Sequence, residues 1–305
     1  MTALQSLVAA ELDAPVAPVV RDFASALAER YGGAAEAVLF YGSCLRERNL
    51  DGLMLDFYLL VDRYEHAYAK RWLALANRLI PPNVFYLEHG GHRAKYAVLT
   101  LDDFARLCGP ETKSVSVWAR FAQPSALVWC RGASARSRVV AAIARAAPTL
   151  LAAARPMLPD RLTVGELWSG AFAHTYEAEL RAERKGRNAS IVDADPARYR
   201  GFTAPALAEA GLSAQLEGDR VSFARLSDGR AGARAWAARR RYGKLLSVLR
   251  LLKATFTFDG GIDYLAWKIT RHSGVAIAIA PWQRRHPILA GLLLLPQLRR
   301  KGAVR

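Results

Sequence analysis

A glycine, a serine and an aspartate pose the first chemical question of this 305-residue chain. The apolar run Leu39-Phe40-Tyr41 ends in Gly42-Ser43, and after 12 further residues Asp56 enters a second run, Asp56-Phe57-Tyr58-Leu59-Leu60-Val61-Asp62. A glycine lets backbone approach a phosphate closely. A serine hydroxyl and its adjoining amides donate to phosphate oxygens. A carboxylate shares Mg²⁺ with those same oxygens. Gly42, Ser43 and Asp56 therefore outline a site for a magnesium-bound triphosphate. Asp56, Tyr58, Leu60 and Asp62 share one face of a strand, but Asp62 lies about 20 Å along it and cannot serve the same ion. Glu88, closing a neighbouring predicted strand, is the candidate second metal carboxylate.

Positioning these groups requires a sheet. Residues 16–31 have helical apolar spacing and stop at Gly32-Gly33. Runs 37–41, 53–61, 84–88, 95–99 and 126–130 read as strands, with helices expected over 68–79 and 101–107. From Ser134 onward the pattern is mainly helical, over 139–154, 164–185, 205–210 and 231–254. Residues 215–226 read as a hairpin turning at Gly218-Asp219. The expected class is α+β: residues 1–130 form a domain with a mixed sheet, 131–228 a helical, winged-helix-like unit, and 229–305 a basic helical region.

A strand delivering a Gly-Ser turn, followed by a strand carrying an acid, resembles the nucleotidyltransferases of the polymerase-β type. That superfamily commonly has acid-x-acid on the second strand, whereas Tyr58 stands two residues after Asp56. Further segments are similar to the mitochondrial translocator assembly and maintenance type of phosphatidate cytidylyltransferase. They are Met54-Leu55-Asp56-Phe57, Arg71-Trp72 with Asn77 and Pro82–Tyr86, Lys95–Val98, Trp118–Pro124, and Thr175–Arg181 with Arg187 and Ile191-Val192. The similarity covers roughly residues 38–195. It implies transfer of CMP from CTP to phosphatidate, giving CDP-diacylglycerol and pyrophosphate, with Mg²⁺ and at a membrane surface. That family also lacks the second acid of the usual pair.

The residue chemistry is compatible with such a reaction. A lipid phosphate is already ionised, so it needs no general base, but it does need cations to offset repulsion between two phosphates. Lys95 and Arg181 are the candidate catalytic cations. Tyr176 and Lys185 join Gly42 and Ser43 as candidate substrate-binding residues. Arg181 and Lys185 share a helical face, and the same spacing also suits a solvated helix surface. His89 and His92 flank Gly90-Gly91 as a solvated turn, and Cys44 reads as a small loop residue.

Charge points to an anionic partner. The chain carries 43 Lys and Arg against 27 Asp and Glu, for +16. Residues 229–305 hold 16 of the cations and two acids, leaving 27 basic and 25 acidic residues in the preceding 228. Apolar runs at Ser273–Trp282 and Ile288–Leu295 are edged by Arg284-Arg285 and Arg299-Arg300-Lys301. Apolar patches bordered by arginine and tryptophan suit an anionic membrane surface better than nucleic acid, which favours polar residues and stacking aromatics among its cations. Three cysteines suit a reducing compartment. The expectation is a cytoplasmic, peripheral-membrane enzyme binding CTP and phosphatidate, with no nucleic acid and no protein partner inferred. A nucleotidyltransferase acting on RNA or a small molecule, and a non-catalytic membrane adaptor, are the alternatives.

Overall fold

The computed structural model describes residues 1–45, 50, 53–179, 191–224, 229–257 and 279–285. The protein is α+β, built on a mixed five-stranded sheet. In chain order the described elements are α1 (Ala3–Leu12), α2 (Pro18–Tyr31), β1 (Ala35–Tyr41), β2 (Met54–Val61), α3 (Tyr64–Ala67), α4 (Arg71–Leu79), β3 (Asn83–His89), β4 (His92–Thr100), α5 (Leu101–Cys108), α6 (Trp118–Phe121) and β5 (Ser125–Cys130). There follow α7 (Ala133–Ala144), α8 (Ala146–Ala154), β6 (Arg161–Thr163), α9 (Val164–Ala178), α10 (Pro196–Glu209), β7 (Ala214–Glu217), β8 (Arg220–Phe223), α11 (Gly229–Thr257) and α12 (Pro281–Arg285).

The sheet order is β3-β4-β2-β1-β5. β2 and β4 run parallel, while every other neighbouring pair is antiparallel. Alternation sends the side chains of β2 to two different cores. Leu55, Phe57, Leu59 and Val61 face α2 and α4 with Val38 and Phe40, whereas Tyr58 and Leu60 join Leu39, Leu99 and the helices α5 to α9. The second core continues without interruption into α10 and α11 through Tyr199 and Trp236.

Local chemistry explains where elements start and break. Pro18 opens α2 and Thr100 caps α5 by accepting from the Asp103 amide. Thr163 and Glu166 form a reciprocal capping box on α9. The helix expected over 68–79 begins only at Arg71, because buried Tyr68 takes an extended conformation and packs on Phe85. The helix expected over 139–154 starts earlier and is also divided; Pro148, which lacks an amide hydrogen, sits in the first turn of α8. The helix at 205–210 extends back to Pro196, capped by Asp195. The hairpin at 215–226 is present as β7 and β8, and β6 adds a third strand in the order β6-β8-β7. Four elements have no counterpart in the sequence analysis: α1, with a capping box between Thr2 and Gln5, the short helices α3 and α6, and β6.

The stretch Ala133–Met157 is long and apolar enough to cross a bilayer, and 67% of its most apolar window is buried inside the fold. Of the two apolar C-terminal runs, Ile288–Leu295 lies outside the described residues. The other falls within them only at 279–282, where Trp282, second residue of α12, is exposed.

Candidate active site

Strand pairing assembles the centre. Antiparallel β1 and β2 place Tyr41 opposite Asp56, and parallel β4 places Lys95 on its other side. The Lys95 Nζ lies 3.0 Å from Asp56 Oδ1. Gly42 follows Tyr41 with φ +91°, and a Cβ at Gly42 would sit 3.1 Å from Asp56 Oδ2. The glycine is thus required by its backbone angle and by the carboxylate passing over it. Ser43 begins a short 3-10 turn, half-buried, directly after it.

Asp56 Oδ1 is buried, and no hydrogen bond is directed at it among the described residues, although Lys95 is within ion-pair distance. A hard cation bound by one carboxylate and completed by substrate phosphate oxygens fits such an oxygen. No cluster of three His, Cys, Asp or Glu side chains occurs among the described residues. Any ion at Asp56 would therefore draw most of its ligands from substrate or water.

Glu88 does not join Asp56. It stands two strands away, across β4, at least about 10 Å in strand spacings alone. Its carboxylate instead pairs with Arg93 at 3.2 Å and accepts from the Tyr86 hydroxyl. The reason is register: Tyr86 faces Lys95, so Glu88 falls opposite Arg93. Tyr86 is held above its ordinary pKa by burial and by Glu88.

Three cations that sequence reasoning did not single out converge on this face instead. Arg120 on α6 donates to the Ser116 carbonyl at 3.1 Å and to the Tyr58 hydroxyl at 3.4 Å, with its guanidinium 5.1 Å from the Tyr41 ring centre. Burial opposes its charge, but Tyr41, Tyr58, Glu179 and Asp56 hold its pKa above the ordinary arginine value. Arg250 on α11 donates from Nε to the Pro81 carbonyl at 2.7 Å and from Nη1 to Ser116 Oγ at 2.5 Å. Its Nη2 is buried without a hydrogen-bond partner among the described residues. Burial, reinforced by Arg120, lowers its pKa. Lys253, one turn on, donates to the carbonyls of Ile80 and Pro82, the latter at 2.8 Å. Burial and neighbouring Arg250 bring its pKa down to about 7. α11 reaches this position because Gly243 lets its backbone lie against α9, where a Cβ would collide with the Ala178 carbonyl.

Tyr176 sits on α9, half-buried against the core that covers this sheet face. Arg181 and Lys185, like Arg187, lie outside the described residues. Asn77 is scaffold: it donates to the Val98 carbonyl at 2.9 Å and accepts the Asn83 amide at 2.5 Å, fixing the end of β3. Cys44 is buried with its thiol on the Met54 carbonyl. His89 and His92 pair across the Gly90-Gly91 turn.

The available signals for the missed arginines were local. Arg120 interrupts Val115–Ala122, and Arg250 sits among leucines in Val248–Leu252. An arginine among apolar neighbours packs its stem against the core, and its head then needs partners there. Comparison with protein-family models and with curated proteins finds no match.

Proposed function

We propose that the chain is a magnesium-dependent phosphatidate cytidylyltransferase working at an anionic membrane surface. Its fold would be a polymerase-β-like nucleotidyltransferase domain with a winged-helix-like unit behind it. The carrying observation is the make-up of the sheet face: one carboxylate whose buried Oδ1 has Lys95 at ion-pair distance and no hydrogen bond among the described residues, with half-buried Arg120 near it and half-buried Arg250 beside Arg120. Two phosphates meeting in a transition state call for that excess of cations.

The acceptor phosphate is a dianion for much of its population at pH 7 and needs no base. Its oxygen attacks the α-phosphorus of CTP, the bond to the β-phosphate oxygen breaks, and pyrophosphate leaves. Lys95 neutralises charge on the nucleotide phosphates, and the Gly42-Ser43 turn supplies amide and hydroxyl donors. Asp56 would hold Mg²⁺, which supplies Lewis-acid polarisation of phosphoryl oxygens. The succession α8–β6–α9–α10–β7–β8, with β8 central in its sheet, supports the winged-helix-like reading. Membrane attachment is supported by α11, whose outer face carries exposed Leu245, Val248 and Leu252 beside exposed Arg241 and Lys244. Each such cation held near anionic lipid contributes about 1 kcal/mol.

The test is incubation of the purified chain with radiolabelled CTP, Mg²⁺ and phosphatidate in detergent micelles. Label entering the organic phase, and lost with EDTA or Asp56→Ala, is the expected result. CTP binding without labelled lipid would move the acceptor to RNA or a small molecule. Absence of CTP binding by the folded protein would leave a non-catalytic membrane adaptor.

A further inference from the structure

Two arginines meeting at one serine need an explanation that the nucleotide site does not give. Ser116 receives Arg120 on its carbonyl and Arg250 on its hydroxyl, so guanidiniums from helices 130 positions apart in sequence point into the same space. Like charges at close range repel, and each burial opposes ionisation. Arg250 Nη2 is a buried donor with no partner among the described residues, an arrangement that costs free energy unless something accepts from it. Among the described residues, the acids that act on them are Glu179 and Asp56 for Arg120 and Glu179 for Arg250.

We infer that Arg120 and Arg250 form a second anion subsite, one tyrosine (Tyr58) removed from Asp56, that takes the phosphomonoester of the acceptor. The inference rests on the cytidylyltransferase reading and assigns its acceptor side. Three placements favour the acceptor over the nucleotide. Gly42, Ser43 and Lys95 already serve a triphosphate at Asp56. A planar guanidinium with free donors suits the oxygens of a terminal phosphate. And the turn of α11 that turns Arg250 inward turns Val248 and Leu252 outward, so an apolar path for acyl chains lies on the helix that supplies the cation. Lys253, beside Arg250 and held on the Ile80 and Pro82 carbonyls, adds to the field at the rim.

The test measures binding to the full-length wild type, Arg250→Gln and Arg250→Lys by calorimetry. The probes are a non-hydrolysable CTP analogue, dihexanoyl phosphatidate, glycerol 3-phosphate and inorganic phosphate, with melting temperature recorded for each protein. The expected result is a tenfold or greater loss of dihexanoyl phosphatidate affinity in Arg250→Gln, a smaller loss in Arg250→Lys, and CTP-analogue affinity within twofold throughout. Wild-type preference for dihexanoyl phosphatidate over both water-soluble phosphates identifies the lipid as the source; equal binding of all three assigns the subsite to free phosphate. Equal weakening of CTP analogue and phosphatidate, or no change in either by folded Arg250→Lys and Arg250→Gln, overturns the subsite. A wild type that binds the CTP analogue but no phosphate probe overturns it while leaving the nucleotide site standing. A wild type that binds none of the probes removes the cytidylyltransferase reading itself.

Discussion

The two faces of the central sheet are made by the same strands and solve opposite problems. On the α2 face, β2 contributes Leu55, Phe57, Leu59 and Val61, and the contacts are rings and aliphatic chains: Phe57 packs on Phe23 and Phe40 with centroids 5.7 and 5.2 Å away. On the other face the same strand contributes Asp56, Tyr58 and Leu60, of which Asp56 meets Lys95 and Tyr58 meets Arg120, with Arg250 beside Arg120 at Ser116. The first face gains from burying apolar area. The second gives up part of that gain to desolvate charges. The asymmetry is where the proposed chemistry would be placed.

Removing the acid tests this contrast most severely. Asp56→Ala is expected to lower turnover about 10³-fold or more, equivalent to about 4 kcal/mol of transition-state stabilisation, in protein that remains folded by tryptophan fluorescence. Turnover within tenfold of wild type would take Asp56 out of the mechanism and reduce the charged face to scaffold. The matching change across the sheet is Phe57→Ala. It should cost about 3–5 kcal/mol in denaturant unfolding while leaving the kcat of the remaining folded protein unaltered. A selective kinetic loss there would show that the two faces do not divide labour.

Gly42→Ala probes the seam between the faces. Its φ of +91° and the 3.1 Å approach of a Cβ to Asp56 Oδ2 predict a loss of about 1–3 kcal/mol, together with lower turnover because the carboxylate must shift. Gly33→Ala is the control, since nothing lies within 4 Å of a Cβ there and its φ is outside the left-handed range. It should change stability by less than about 1 kcal/mol.

The apolar face was the more legible in sequence. The apolar run Leu53–Val61, interrupted at Asp56, and the stop at Gly42-Ser43 give β1, β2 and the position of Asp56, because run length and turn chemistry act within a few residues. The charged face depends on long-range pairing. Glu88 closes a strand as expected, yet the register of β3 on β4 carries it to Arg93 rather than to Asp56. Arg250 sits in a helix of many cations, and periodicity does not say which of them turns inward. That choice is made by Gly243 against Ala178 and by the carbonyls at Ile80–Pro82, from distant parts of the chain. Arg181 and Lys185, the cations favoured from local spacing, lie outside the described residues; among those described, Arg120 acts on Asp56 and Arg250 lies beside Arg120.

Lys253 gives the finest test, because it separates the faces by titration. Burial and Arg250 lower its pKa from the ordinary 10.5 to about 7, and its ammonium donates to the uncharged carbonyls of Ile80 and Pro82. Below pH 7 both folded and unfolded chains hold the proton, and the cost of burying the ammonium is present in full. Between about 7 and 10.5 the unfolded chain still binds that proton and the folded chain does not, so stability rises with pH. The slope is at most about 1.4 kcal/mol per pH unit. Lys253→Met should therefore flatten the pH dependence of unfolding free energy above pH 7 relative to wild type, an effect of about 1 kcal/mol between pH 7 and 8. Parallel curves for the two proteins would mean that Lys253 keeps an ordinary pKa, and with it that the charged face is less desolvated than its geometry implies. An anion bound beside Arg250 would favour the protonated amine, so saturating dihexanoyl phosphatidate should move the wild-type rise to higher pH and leave the variant unmoved.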